Sequence, residues 1–141
     1  MKLNLKDLNP GTWFKFDEGD PESGSICLRV LNMEKLAEIR DKTVETKVDF
    51  HGANRFESQK HNTGLRDSII WDYCIVDWKG LVDDDENETP IPCNTEMKLK
   101  IMNKHVGFAA FVNNCMEKLN ELNEAHAEYL EKNLSSTPEQ D

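Results

Sequence analysis

The run Asp83-Asp84-Asp85-Glu86-Asn87-Glu88 places Asp83, Asp85 and Asn87 at alternate positions, like the first ligands of a calcium-binding EF-hand loop. Such a loop needs a glycine at its sixth place and a bidentate glutamate at its twelfth, where this chain has Glu88 and Asn94. The motif fails at both places, and the run reads as a solvated loop that keeps an extended connection in water. His51, His61, His105 and His126 form neither His-x-x-x-His nor His-Glu-x-x-His, and Cys27, Cys74, Cys93 and Cys115 include no Cys-x-x-Cys pair. The cysteines therefore read as small buried hydrophobes, and neither a metal, a disulfide framework nor a cofactor is expected. With no glycine-rich phosphate loop and no Gly-x-Ser-x-Gly elbow, the chain is read as a non-enzyme. An enzyme would instead need a cleft that gathers Asp72, Asp77 and a histidine.

What remains is the chemistry of contact. Trp71 and Trp78 lie within eight residues of each other and account for two of the three tryptophans. Aromatic side chains of this kind dominate binding hot spots, although in most chains they fill the core. Towards the C-terminus Phe108, Val112, Cys115, Leu119, Leu122, His126 and Tyr129 recur at alternating spacings of four and three, with Glu117, Lys118, Glu121, Glu124 and Glu128 outside the seam. A ring packed at its edge is the favoured reading of His126. A helix of about 25 residues spans nearly 40 Å, as much as a small domain is wide, so part of its stripe is expected to overhang the core. Coverage by the two preceding helices is the competing expectation. The candidate protein-binding residues are Trp71, Trp78, Phe108, Val112, Cys115, Leu119, Leu122 and Tyr129.

The composition limits the partners. The chain has 141 residues and 16.3 kDa, 17 basic against 27 acidic side chains and a net charge of −10. A polyanion or an anionic membrane surface is repelled by such a balance, so no direct contact with nucleic acid or membrane is expected. The N-terminus alternates polar with apolar residues and no apolar run is long enough for a membrane span, which points to the cytoplasm. Length and composition fit one domain over residues 1–133, followed by a flexible acidic tail over 134–141.

Elements that would position these residues follow from local pattern. Trp13–Phe16 and Ser25–Leu31 are rich in β-formers and flank a turn-rich stretch, which predicts a hairpin with a long loop. Asn32 and Asn94 are N-cap residues for helices, the first running to about Asp41. Val44, Thr46, Val48 and Phe50 alternate with Thr43, Glu45, Lys47 and Asp49, the signature of a half-buried strand. His51–Gly64 reads as a polar loop carrying the basic residues Arg55, Lys60 and His61, with Arg66 just beyond. Helical spacing over Leu65–Val76 predicts a helix stopped by Lys79-Gly80, while the β-formers of Trp71–Trp78 leave a strand open. The fold class is α+β, a small antiparallel sheet from the N-terminal half against a mainly helical C-terminal half with a long terminal helix.

The stretch Arg66-Asp67-Ser68-Ile69-Ile70-Trp71-Asp72-Tyr73-Cys74-Ile75-Val76-Asp77-Trp78-Lys79-Gly80-Leu81-Val82, the acidic turn, Ile91-Pro92-Cys93-Asn94-Thr95-Glu96-Met97-Lys98 and Phe108-Ala109-Ala110-Phe111-Val112 together resemble small bacteriophage proteins of the tail assembly chaperone type. Those carry an aromatic D-W-x-G-(I/V) segment, an acidic D-x-x-G-x-x-I-P turn and a helix-opening (T/S/N)-x-E in this order. The likeness covers residues 66–112, and the usual turn glycine is replaced by Asn87 or Glu88. It implies a non-catalytic, cytoplasmic assembly factor in an infected bacterium, which binds the helical tape measure protein or another tail protein through apolar contacts, with self-association open. The alternative is an acidic phage or mobile-element inhibitor that mimics nucleic acid to block a host enzyme; its carboxylates would stand at phosphate-like intervals over one face.

Overall fold

The computed structural model describes the backbone of residues 1–135 and the side chains of residues 1–123. Strand β1 (Thr12–Lys15) and strand β2 (Ser25–Leu28) form the expected hairpin, antiparallel with Phe14 opposite Ile26. The long connection contains a single 3-10 turn at Pro21–Ser23, capped where Asp20 accepts from the Glu22 N–H at 3.1 Å. Helix α1 (Met33–Thr43) starts where expected, Asn32 accepting from the Lys35 N–H at 2.8 Å. Its last turn is fastened by the Thr43 hydroxyl, which donates to the Ile39 carbonyl at 2.6 Å.

Strand β3 (Val44–His51) is present, but it is not half-buried: every residue beyond Val44 is exposed. The polar loop expected after it is instead strand β4 (Asn54–His61), antiparallel to β3 from Val44↔His61 to His51↔Asn54. The two are joined by Gly52-Ala53, and Gly52, with φ 66°, is the glycine at the first of two turn positions that a type II′ connection requires. With solvent on both faces, β4 has no need of alternating hydrophobicity, so nothing in its pattern marked it as a strand. The Arg55 cluster is also less free than its composition suggests, because Arg55 pairs with Glu57 at 2.8 Å.

Helix α2 (Thr63–Cys74) opens on Asn62, which accepts from the Leu65 N–H, and stops two residues short of the predicted end. Strand β5 (Ile75–Lys79) follows without a loop, so both readings of this stretch hold, each for its own part. The switch falls at Cys74 because its carbonyl accepts from the Arg29 N–H at 2.9 Å, turning the chain out of the helix and alongside β2. From there Ile75-Val76-Asp77-Trp78 has the side chains of a strand. Lys79-Gly80 therefore ends a strand and not a helix. The sheet order is β1-β2-β5, antiparallel throughout, with a bulge between Cys27 and Leu28.

Helix α3 (Thr95–Lys104) is capped by Asn94, which accepts from the Met97 N–H at 2.9 Å. Helix α4 (Val106–Ser135) follows after one residue, His105, whose Nδ1 accepts from the Phe108 N–H at 2.9 Å and so caps the new helix. The helix extends two residues into the segment expected as a tail; residues 136–141 lie outside the described ones. One core joins Ile26, Leu28, Ile75 and Trp78 of the sheet to Met102 of α3 and to Phe108, Val112, Cys115 and Leu119 of α4. Phe16 caps its edge, stacked at a tilt on Phe111 with centroids 5.5 Å apart. The architecture is α+β, as the element pattern implied. The β3–β4 ribbon is exposed along nearly its whole length.

Candidate functional site

Burial separates the candidate contact residues. Trp78, Phe108, Val112, Cys115 and Leu119 are buried in the core, so their apolar surface is already used in folding. As a contact surface they are withdrawn: the α4 stripe through Leu119 packs on β2, β5 and α3, so it is covered within the chain, but by the sheet and one helix where two helices were expected. Trp71 is partly buried and packs against the same core. Leu122 is bare at 62% exposure, one turn beyond the last covered position. Tyr129 and His126 lie outside the described side chains.

The exposed apolar surface that is shaped to receive something lies beside the acidic turn, in residues the seam argument passed over. Gly80, with φ 76°, turns the chain out of β5, and the segment then doubles back on itself. Ile91 N–H donates to the Leu81 carbonyl at 2.9 Å, Asp83 N–H to the Thr89 carbonyl at 2.8 Å, and Val82 bridges Pro90. The bend is held by Asp85, whose carboxylate accepts from the Thr89 N–H at 2.9 Å and the Thr89 hydroxyl at 2.6 Å. Those hydrogen bonds lower the Asp85 carboxyl below its usual range. Glu88 has φ 46°, a left-handed conformation that few residues other than glycine adopt readily. The acids thus shape a turn, and among the described residues no group of three or more His, Cys, Asp or Glu is placed to hold a metal.

Between this doubled segment and α3 lies an open cleft of about 510 Å³. Leu81, Val82, Ile91, Met97 and Ile101 supply its apolar surface, and the largely buried Phe108 of α4 closes its base. Its rims are opposite in charge: Asp83 and Asp84 on the turn, Lys100 and Lys104 on α3. Trp78 sets the floor from below, because its indole N–H donates to the Ile91 carbonyl at 2.8 Å and its ring meets Phe108 edge-on at 6.1 Å. The far wall is anchored through Lys98, which is buried on α3 and reaches Asp72 of α2, donating to its carbonyl at 3.0 Å and lying 3.4 Å from its carboxylate. Asp72 also accepts from the Thr95 hydroxyl at 2.8 Å. Asp72 is therefore committed to joining two helices. The signal for this cleft was in the sequence, in Leu81-Val82 and Ile91 flanking a polar run, but only the doubling of the segment brings them to one surface.

No family model, curated protein or solved structure matches the chain. Burial raises the thiols of Cys27, Cys74, Cys93 and Cys115, the reverse of the shift that makes a cysteine nucleophilic. For Cys74 the shift is from 9.0 up to about 11, with the Arg29 charge opposing it weakly. The folded chain then keeps a proton that the unfolded chain releases, so this contribution is intact below pH 9 and is lost as the pH rises towards 11. A loss of about 2–3 kcal/mol between those limits is expected. Urea unfolding at pH 8 and at pH 10.5 would read it, and Cys74→Ala should reduce the difference, leaving the part due to the other three thiols.

No helix among the described residues is long and apolar enough to cross a membrane. What the arrangement can do chemically is bind: an apolar trough with one acidic and one basic rim suits an amphipathic helix whose own flanking charges are reversed in order.

Proposed function

We propose that this chain is a non-catalytic assembly factor of the tail assembly chaperone type, which holds a helical tail protein such as the tape measure protein in its cleft. One observation carries the reading. The cleft is lined by five apolar side chains from two walls over the buried Phe108, stays open to solvent, and is flanked by opposite charges. A tape measure chain offers the matching chemistry, long apolar helical stripes bordered by charged residues that aggregate when left bare. The net charge of −10 keeps such a complex dispersed. The resemblance of residues 66–112 to that family supports the same reading, since Leu81, Ile91, Met97 and Phe108 of the cleft all fall within it. Action in the bacterial cytoplasm follows from the same proposal.

The mimicry alternative draws less support. Asp83, Asp84, Asp85, Glu86 and Glu88 crowd one turn instead of standing at phosphate-like intervals over a face.

Co-expression is the test. With this chain present, the tape measure protein of the same genome should move from the insoluble to the soluble fraction and elute with it on gel filtration. An insoluble tape measure protein in both cultures would count against the proposal.

A further inference from the structure

The β3–β4 ribbon is a two-stranded sheet with no third strand and almost no cover. Such a ribbon is marginal in water by itself, and each of its edges offers a row of free N–H and C=O groups. Which groups are free on β3 can be read from its base. Asn62 N–H donates to the Thr43 carbonyl at 2.8 Å, so the pair formed by Thr43 and Asn62 is hydrogen-bonded. Bonded and non-bonded pairs alternate along an antiparallel ladder, which makes Glu45, Lys47, Asp49 and His51 the residues that bond β4. Thr46, Val48 and Phe50 turn their backbone groups outward, while the Val44 N–H is taken by the Arg40 carbonyl at the end of α1. The side chains of Thr46, Val48 and Phe50 share one face of the ribbon, and Phe50 is 66% exposed.

We propose that two copies of this chain join along the free edge of β3, antiparallel about a two-fold axis at Val48, to make a four-stranded sheet in the order β4-β3-β3-β4. The charges choose the register. A closed two-fold pairing of identical antiparallel strands sets one residue opposite itself. For an eight-residue strand, only the axes at Lys47 and Val48 pair nearly the whole length. The axis at Lys47 puts Lys47 against Lys47 once and Glu45 against Asp49 twice, three like-charge contacts, which are destabilising across a ladder. The axis at Val48 puts Lys47 opposite Asp49 twice, Glu45 opposite His51 twice, Thr46 opposite Phe50 twice, and Val48 opposite itself. It also brings together the outward N–H and C=O groups of Thr46, Val48 and Phe50, as a ladder requires.

Two further observations agree. Glu45, Lys47 and Asp49 are in no ion pair among the described residues, so all three charges are available to a second copy. At the β4 edge, the two long registers set Glu57 against itself or Arg55 against His61, so that edge does not complement its copy. For a contact made along one strand edge, a dissociation constant on the order of micromolar is expected.

Sedimentation equilibrium of the full chain from about 1 to about 200 µM brackets that range. The wild-type chain should pass from monomer to dimer. Asp49→Lys faces Phe56 within the ribbon, breaks no ion pair there, and sets Lys47 opposite a second lysine; it should weaken dimerisation about tenfold or more. The double variant Lys47→Asp plus Asp49→Lys restores unlike pairs and should return the dissociation constant to within about threefold of wild type. Circular dichroism verifies that each variant is folded. A chain that stays monomeric throughout, a dimer indifferent to Asp49→Lys, or a folded double variant that fails to recover would each overturn the proposal. So would a dimer lost in Val82→Glu, which would place the contact in the cleft.

Discussion

Trp78→Ala is expected to lower folding stability by about 3–5 kcal/mol, a large share of the 5–15 kcal/mol that holds a typical domain. Trp78 is 5% exposed, sits opposite Ile26 in the sheet and touches Phe108 of α4 edge-on. Its loss removes the largest side chain of the core and leaves a cavity where sheet, α4 and the doubled segment meet. The Ile91 carbonyl, which now accepts from the indole at 2.8 Å, loses its donor as well. Trp78→Phe separates the two effects: it retains most of the packing and drops the hydrogen bond, so about 1–2 kcal/mol is expected. Urea unfolding of the three proteins measures both steps. Equal losses for Ala and Phe would mean that the hydrogen bond, and not the packing, holds Ile91 in place.

Gly24→Ala should be the other severe substitution, at about 3 kcal/mol or more. Gly24 has φ 100° and ψ −178°, a region that only glycine occupies readily. A methyl there would also run into the Lys79 carbonyl oxygen. The neighbour cannot yield, because Gly80 packs back against Gly24: a Cβ on Gly80 would lie 2.8 Å from the Gly24 Cα. The two glycines close the end of the β2–β5 ladder at Ser25↔Lys79 and start the turn into the cleft. Gly52→Ala is the control. Its φ of 66° is also left-handed, but nothing lies within 4 Å, so only the backbone strain of about 1–2 kcal/mol is expected. Thermal unfolding of both variants tests the comparison, and similar costs would show that the close approach adds nothing.

The elements that were legible in the sequence have a local cause. Asn32 and Asn94 cap their helices through their own side chains, and β1 and β2 carry side chains that suit a sheet. The seam of α4 from Phe108 to Leu119 is the buried stripe its spacing implied. Its destination was the misreading. Periodicity says that a face is apolar and not what covers it, and here β2, β5 and α3 cover it within the chain. The strand alternation of β3 misled in the opposite sense, since Val48 and Phe50 remain in solvent. Strand β4 has no apolar row at all. The end of α2 is set by the bond from Arg29 to Cys74, a contact between residues 45 positions apart that no local window contains. The cleft depends on a similar long-range fact, the pairing of Leu81 with Ile91.

If the cleft between the acidic turn and α3 receives a helical partner, as proposed, Val82→Glu should abolish that binding. Val82 lines the cleft and is 42% exposed, so the substitution places a charge in the trough without disturbing the core. In the co-expression assay the variant should fold as the wild type does by circular dichroism, yet leave the tape measure protein insoluble. A folded Val82→Glu chain that keeps the tape measure protein in solution as well as the wild type would contradict the claim.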